Sequence, residues 1–323
     1  MLKTILYKVS YIILGIAVGY FGYPLVTAKV TELKEVRSGN FKFISPLIEC
    51  ESGKELGSDI FSMLKSDLIA HVNAAKKNDP SLRVSLYFRD LQNGPWFGIE
   101  EDADYSPASL LKVPIMMAYL KISESKREIL DEKLTYNGEY EYDDNIDSTE
   151  ETIKRGVTYK IEELIKKMVV NSDNRSKDLL KYNLEKEYPE VLAKIYAGLG
   201  LEKEYKNMSN NDFVSVKDYA SIFRILYNAS LLNQDTSERA LSILSEVKYD
   251  YGIVKGLPEG IASARKFGYR SENVLNESQF HDCGIIYRPD RPYLLCIMTK
   301  GRNPESLPEM IEDISKIVYD SQN

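Results

Sequence analysis

Strand-forming sequence in this chain is confined to two blocks, and a long helical stretch separates them. The first block holds "RVSLYFRDL" (83–91) and "PWFGI" (95–99), rich in β-branched and aromatic residues and joined by a turn at Gln92-Asn93-Gly94. From 126 to 248 every strong pattern is helical, as in "TYKIEELIKKMVV" (158–170) and "VKDYASIFRILYNAS" (216–230). Strand character returns with "IASARKFGY" (261–269), "CGIIYR" (283–288) and "PYLLCIMTK" (292–300). Helical patterns flank the whole region: residues 58–77, with Ser58 as a candidate cap, and "PESLPEMIEDISKIVYDS" (304–321). Blocks so placed predict one antiparallel five-stranded sheet built from both ends, with the terminal helices on one face. The insert then makes an all-helical lobe, about 126–248, and a cleft lies where it meets the sheet. The predicted class is α+β, in a domain spanning 58–323.

Ahead of that domain, Val9 to Ala28 runs twenty residues without a charge. At about 1.5 Å rise per residue such a helix spans the roughly 30 Å hydrocarbon layer of a membrane. The expectation is an uncleaved anchor over 1–28, with 29–57 as a linker and the domain outside the cytoplasm. Val26 and Ala28 leave cleavage and secretion as the alternative. The charge bias is weak, with Lys3 and Lys8 before the segment against Lys29, Lys34 and Arg37 after it.

The net charge of −7 and the lack of any long basic block exclude a nucleic-acid partner. The two histidines, His71 and His281, are far apart in sequence and lie near no second plausible ligand. No metal, no cofactor and no His-based triad is expected, and the chain reads as a monomer. Of the three cysteines, Cys50 stands alone, while Cys283 and Cys296 fall on consecutive predicted strands. If these form a hairpin around "RPDR" (288–291), the two could face each other. Two buried thiols is the expectation, and a disulfide the alternative.

Chemistry enters with "SPASLLKVP" (106–114), where Ser109 and Lys112 share one face at the start of a helix. A lysine there can take the serine proton only as a neutral amine, which burial or nearby positive charge favours. Alone, this spacing is a common coincidence. Further on, "VVNSDNRS" places Ser172-Asp173-Asn174 after an amphipathic helix, and "ARKFGYR" places Lys266-Phe267-Gly268 on the first returning strand.

These elements resemble, in order and spacing, the Ser-x-x-Lys, Ser-Asp-Asn and Lys-Thr-Gly set of class A β-lactamases and penicillin-binding proteins. The likeness extends over residues 58–321 and includes "HDCGIIYRPDRPYLLCIMTKG", similar to that family's last strand pair. It implies that Ser109 attacks an amide carbonyl, that Lys112 takes its proton, and that Ser172 protonates the leaving nitrogen in the field of Lys266. It further implies that Asn174 binds the acyl-side amide, and that the N–H groups of Ser109 and Tyr269, after Gly268, hold the oxyanion. Asp173 reads as structural.

Two departures bear on the chemistry. Phe267 stands where the family has Thr, so Arg265, Arg270 or Ser271 would have to meet a substrate carboxylate, or Phe267 points into the core. No Glu-x-x-Leu-Asn segment lies between Asn174 and Val214, and Glu202 and Glu204 are the nearest carboxylates. The expected enzyme is an exported serine hydrolase that opens a β-lactam and deacylates slowly. A D,D-peptidase acting on cell-wall stem peptides and an idle membrane-tethered binding module are the alternatives.

Overall fold

In the computed structural model the two strand blocks do meet in one sheet. Residues 41–45, 61–92, 94–138, 152–201, 212–272, 276–289 and 291–322 are described. The apolar segment 9–28, most of the linker, the candidate cap Ser58, and Glu202 and Glu204 lie outside them. Among the described residues no helix is long and apolar enough to cross a membrane.

The first block supplies Arg83–Asp90 (β1) and Trp96–Ile99 (β2), and the second supplies Ser263–Glu272 (β7), Glu277–Ile286 (β8) and Tyr293–Gly301 (β9). They pair antiparallel in the order β2-β1-β9-β8-β7, so β9 lies beside β1 and β7 is an edge. Side chains alternate between the two faces. Leu86, Phe88, Leu295 and Ile297 pack with the terminal helices Ser62–Asn78 (α1) and Ser306–Ser321 (α8). Tyr87, Leu294, Cys296 and Met298 pack toward the helical lobe. Both faces are thus covered, which is why these strands read as nearly unbroken apolar runs.

The lobe comprises Lys112–Ser123 (α2), Ile161–Val170 (α3), Asn174–Glu187 (α4), Pro189–Gly198 (α5), Val216–Tyr227 (α6) and Gln234–Ser245 (α7). Every residue of α2 from Lys112 to Leu120 is buried, as its lack of a polar face requires. The expected wholly helical middle needs a correction. Lys133–Thr135 (β4) pairs with Thr158–Lys160 (β5), and Asp104–Tyr105 (β3) pairs with Val214–Ser215 (β6). Thr158 and Thr135 set their hydroxyls 2.8 Å apart across the β4–β5 ribbon, and the helix starts only at Ile161. β8 likewise begins at Glu277 rather than near Cys283. Its polar residues Gln279, His281 and Asp282 hide that strand in the sequence, yet all three are buried.

The cysteine expectation is also corrected. The β8–β9 register sets Cys283 directly opposite Cys296 with Cα atoms 4.0 Å apart, and the two form a disulfide. Residues 41–45 lie against the same unit. The Glu238 carboxylate accepts the N–H groups of Lys42, Phe43 and Ile44, and the Tyr287 hydroxyl donates to the Phe43 carbonyl.

Candidate active site

A short 3-10 turn, Ala108–Leu111, carries Ser109 into α2. Ala108 adopts φ 46°, a left-handed conformation that costs a non-glycine residue energy and persists only when its surroundings impose it. Downstream, the Tyr219 hydroxyl donates to the Leu110 carbonyl at 2.9 Å. On the sheet side, Gly268 lets β7 approach. A Cβ there would stand 3.2 Å from the Pro107 carbonyl and 3.4 Å from the Ser109 nitrogen. The Ser109 N–H lies in the first turn of its helix, where N–H groups lack intrahelical partners. The Ser109 nitrogen thus lies close to Gly268 on β7, an edge strand of the sheet.

Lys112 is the hub. Its Nζ lies 2.9 Å from Ser109 Oγ, 2.5 Å from the Ser172 carbonyl, 3.0 Å from Ser172 Oγ and 2.8 Å from Asn174 Oδ1. Ser172 follows α3 with φ 56°, again left-handed, which turns both its carbonyl and its hydroxyl toward Lys112. Asp173 caps α4 by accepting from the N–H groups of Arg175 and Ser176, so it is structural, as expected. Lys266 reaches Ser172 Oγ from β7 at 3.1 Å and also donates to the Phe267 carbonyl. Ser109, Lys112, Ser172, Asn174, Lys266 and Gly268 are thus brought together.

Charge balance in this cluster is tight. Lys112 is 1% exposed and Lys266 fully buried. Burial first, and then the neighbouring Lys112, push the Lys266 ammonium well below the usual lysine range. To act as the base, Lys112 has to give up a proton to reach the neutral amine, and its partners suit that state. Its two N–H groups suit the pure acceptors, the Ser172 carbonyl and Asn174 Oδ1, and its lone pair suits the Ser109 hydroxyl proton.

Phe267 turns away from this cluster into the core, stacked on Tyr249 with ring centres 4.1 Å apart. Arg265 points the same way and pairs with Asp282 at 2.9 Å. Arg270 remains on the cleft face, its Nη1 bonded to Ser106 Oγ at 3.0 Å. His71 stands 3.3 Å from Asp313 on the outer helices, and no group of His, Cys, Asp and Glu among the described residues could hold a metal.

His281 is buried with Nε2 2.8 Å from the Ser106 carbonyl, and burial pulls its pKa from 6.5 down to about 4. A depressed base is neutral in the fold and protonated in the unfolded chain between those values, so its contribution to stability is present above about pH 6.5 and lost toward pH 4. The loss amounts to about 3 kcal/mol by linkage. Urea midpoints between pH 7 and 4.5 should fall less steeply in His281→Gln than in the parent. Equal slopes would refute this role.

An α+β scaffold holding a serine bonded to a buried lysine beside the edge strand of its sheet defines the class: a serine hydrolase. The sequence profile described as "Beta-lactamase enzyme family" matches residues 66–322, and the chain belongs to that family. Solved structures share the fold at low identity. A PBP-A variant, solved as its acyl-enzyme complex with penicillin G, is 22% identical over 80% of this chain and 96% of its own, with a TM-score of 0.64. The TLA-3 extended-spectrum β-lactamase is 18% identical over 80% and 98%, TM-score 0.66. A β-lactamase from Sphaerobacter thermophilus is 18% identical over 80% and 97%, TM-score 0.65. No curated protein sequence matches the chain.

Proposed function

We propose that this enzyme opens a β-lactam, or a related strained amide, through a Ser109 acyl-enzyme that hydrolyses slowly. The carrying observation is the 2.9 Å contact between Lys112 Nζ and Ser109 Oγ inside the Ser172–Asn174–Lys266 cluster. The Ser109 hydroxyl proton passes to the Lys112 lone pair as Oγ bonds to the carbonyl carbon. The resulting oxyanion is met by the N–H groups of Ser109 and Tyr269. Collapse breaks the C–N bond, and the nitrogen takes the Ser172 hydroxyl proton, which the Lys112 ammonium replaces. Asn174 holds the acyl-side amide.

Slow release is supported by the missing Glu-x-x-Leu-Asn segment between Asn174 and Val214. The same feature favours a second reading, acyl transfer from cell-wall stem peptides. The Cys283–Cys296 disulfide and the uncharged run 9–28 together support a membrane-anchored enzyme exposed to an oxidising compartment. A fluorescent penicillin is expected to label the protein one-to-one, with label persisting for minutes and absent in Ser109→Ala. Rapid turnover without a trapped adduct would overturn slow release, and labelling of Ser109→Ala would overturn the nucleophile. Release of D-alanine from a stem-peptide analogue would favour the second reading.

A further inference from the structure

The three motifs leave unexplained a polar cluster around Ser106, three residues before Ser109. Ser106 is 3% exposed, and each of its polar atoms is engaged by a different side chain. Its N–H donates to Gln279 Oε1 at 3.0 Å, its hydroxyl accepts from Arg270 Nη1 at 3.0 Å, and its carbonyl lies 2.8 Å from His281 Nε2. A carbonyl only accepts, so His281 carries its proton on Nε2. Register places Arg270 opposite Gln279 and Gly268 opposite His281, so the three side chains rise from one sheet face in adjacent rows.

The cluster is anchored in turn. Gln279 Nε2 donates to Asp212 Oδ1 at 2.8 Å, and the other Asp212 oxygen accepts from Lys300 at 2.9 Å. Asp212 therefore fixes which way the Gln279 amide points, leaving its oxygen for Ser106.

We infer that Ser106 is a positioning residue, and that Gln279, His281 and Arg270 form its seat on the sheet. The Ser106 N–H and carbonyl belong to the two peptide groups flanking its Cα, so these bonds hold the backbone on both sides of Ser106, and the Arg270 bond holds its hydroxyl. Ala108 has no glycine to ease its left-handed φ, so the turn stays strained only if held on both sides. The seat holds it upstream, and Tyr219 holds it downstream through the Leu110 carbonyl. So held, the turn presents Ser109 Oγ to Lys112.

This inference rests on the acylation reading above, and two independent readouts separate them. In Gln279→Met and His281→Leu, the acylation rate constant for fluorescent penicillin should fall about ten- to a hundredfold, as small misplacements of a nucleophile do. The noncovalent dissociation constant should move less than about threefold, because the two substituted side chains are buried and reach Ser106 rather than the cleft. His281→Gln keeps an N–H in place of Nε2 and should restore the rate. Acylation by either variant at the parent rate would overturn the seat. Crystal structures of the same variants test it without any substrate. A Ser109 Oγ to Lys112 Nζ separation opened beyond hydrogen-bond reach supports the seat, and one unchanged from 2.9 Å overturns it.

Discussion

Lys112→Met is expected to slow acylation of Ser109 by about 10²–10⁴-fold, the usual contribution of a positioned general base. Four oxygens surround Lys112 Nζ, and two of them, the Ser172 carbonyl and Asn174 Oδ1, can only accept. Methionine fills a similar buried volume but offers no N–H donors and no basic lone pair. The variant should keep its melting cooperativity, because removing a buried amine also removes the cost of burying it. Its residual acylation should climb steadily with pH as hydroxide replaces the missing base. Stopped-flow labelling across pH, normalised to folded protein, makes the measurement. Acylation within a few-fold of the parent would mean that another group takes the Ser109 proton, and the neighbouring Lys266 would be the next to test.

The legibility of this fold and site divides along physical lines. The antiparallel sheet was readable because β1 and β9 are apolar on both faces, and the nucleophile helix because α2 has no polar face at all. The start of β8 was not readable. Gln279, His281 and Asp282 suit a strand interior only because Ser106, Ile253 and Arg265 supply their partners from distant sequence. The cysteine pairing needed the hairpin register, which an uncharted turn leaves open by one residue, and one residue reverses the face. At the site, the Ser109–Lys112 spacing is by itself a common coincidence, and only the set of three motifs, through the family resemblance, singles it out together with Ser172, Asn174 and Lys266. Ser106 carries no signature in the sequence, because its role comes from three side chains more than 150 residues away. The sequence allows Phe267 either face, and strand alternation opposite Lys266 puts it in the core.

The largest expected effect on stability lies on the other face of β7, at Arg265. Arg265 is 2% and Asp282 0% exposed, and they meet at 2.9 Å. The pair also stitches the loop that precedes the strand. Arg265 Nη2 donates to the Tyr249 carbonyl, and Asp282 Oδ2 accepts from the Ile253 N–H at 3.0 Å. Burial pushes the Asp282 carboxyl up, with Arg265 opposing. Arg265→Met strips away that opposition and leaves a buried carboxylate alone, which should cost about 3–5 kcal/mol. A carboxyl whose folded pKa is raised stabilises the fold at low pH and loses that contribution as pH rises, so Arg265→Met should be relatively more stable at pH 5 than at pH 8. Arg265→Met with Asp282→Leu removes both charges and should recover most of the loss, because the penalty comes from the unpaired partner. Denaturant unfolding at the two pH values decides it: a single variant within about 1 kcal/mol of the parent at pH 8 would show that water reaches Asp282. Because Arg265 and Lys266 point to opposite faces, the double variant should acylate normally per folded molecule. A double variant that is stable yet slow would instead mean that the ion pair sets the position of Lys266 through the strand itself.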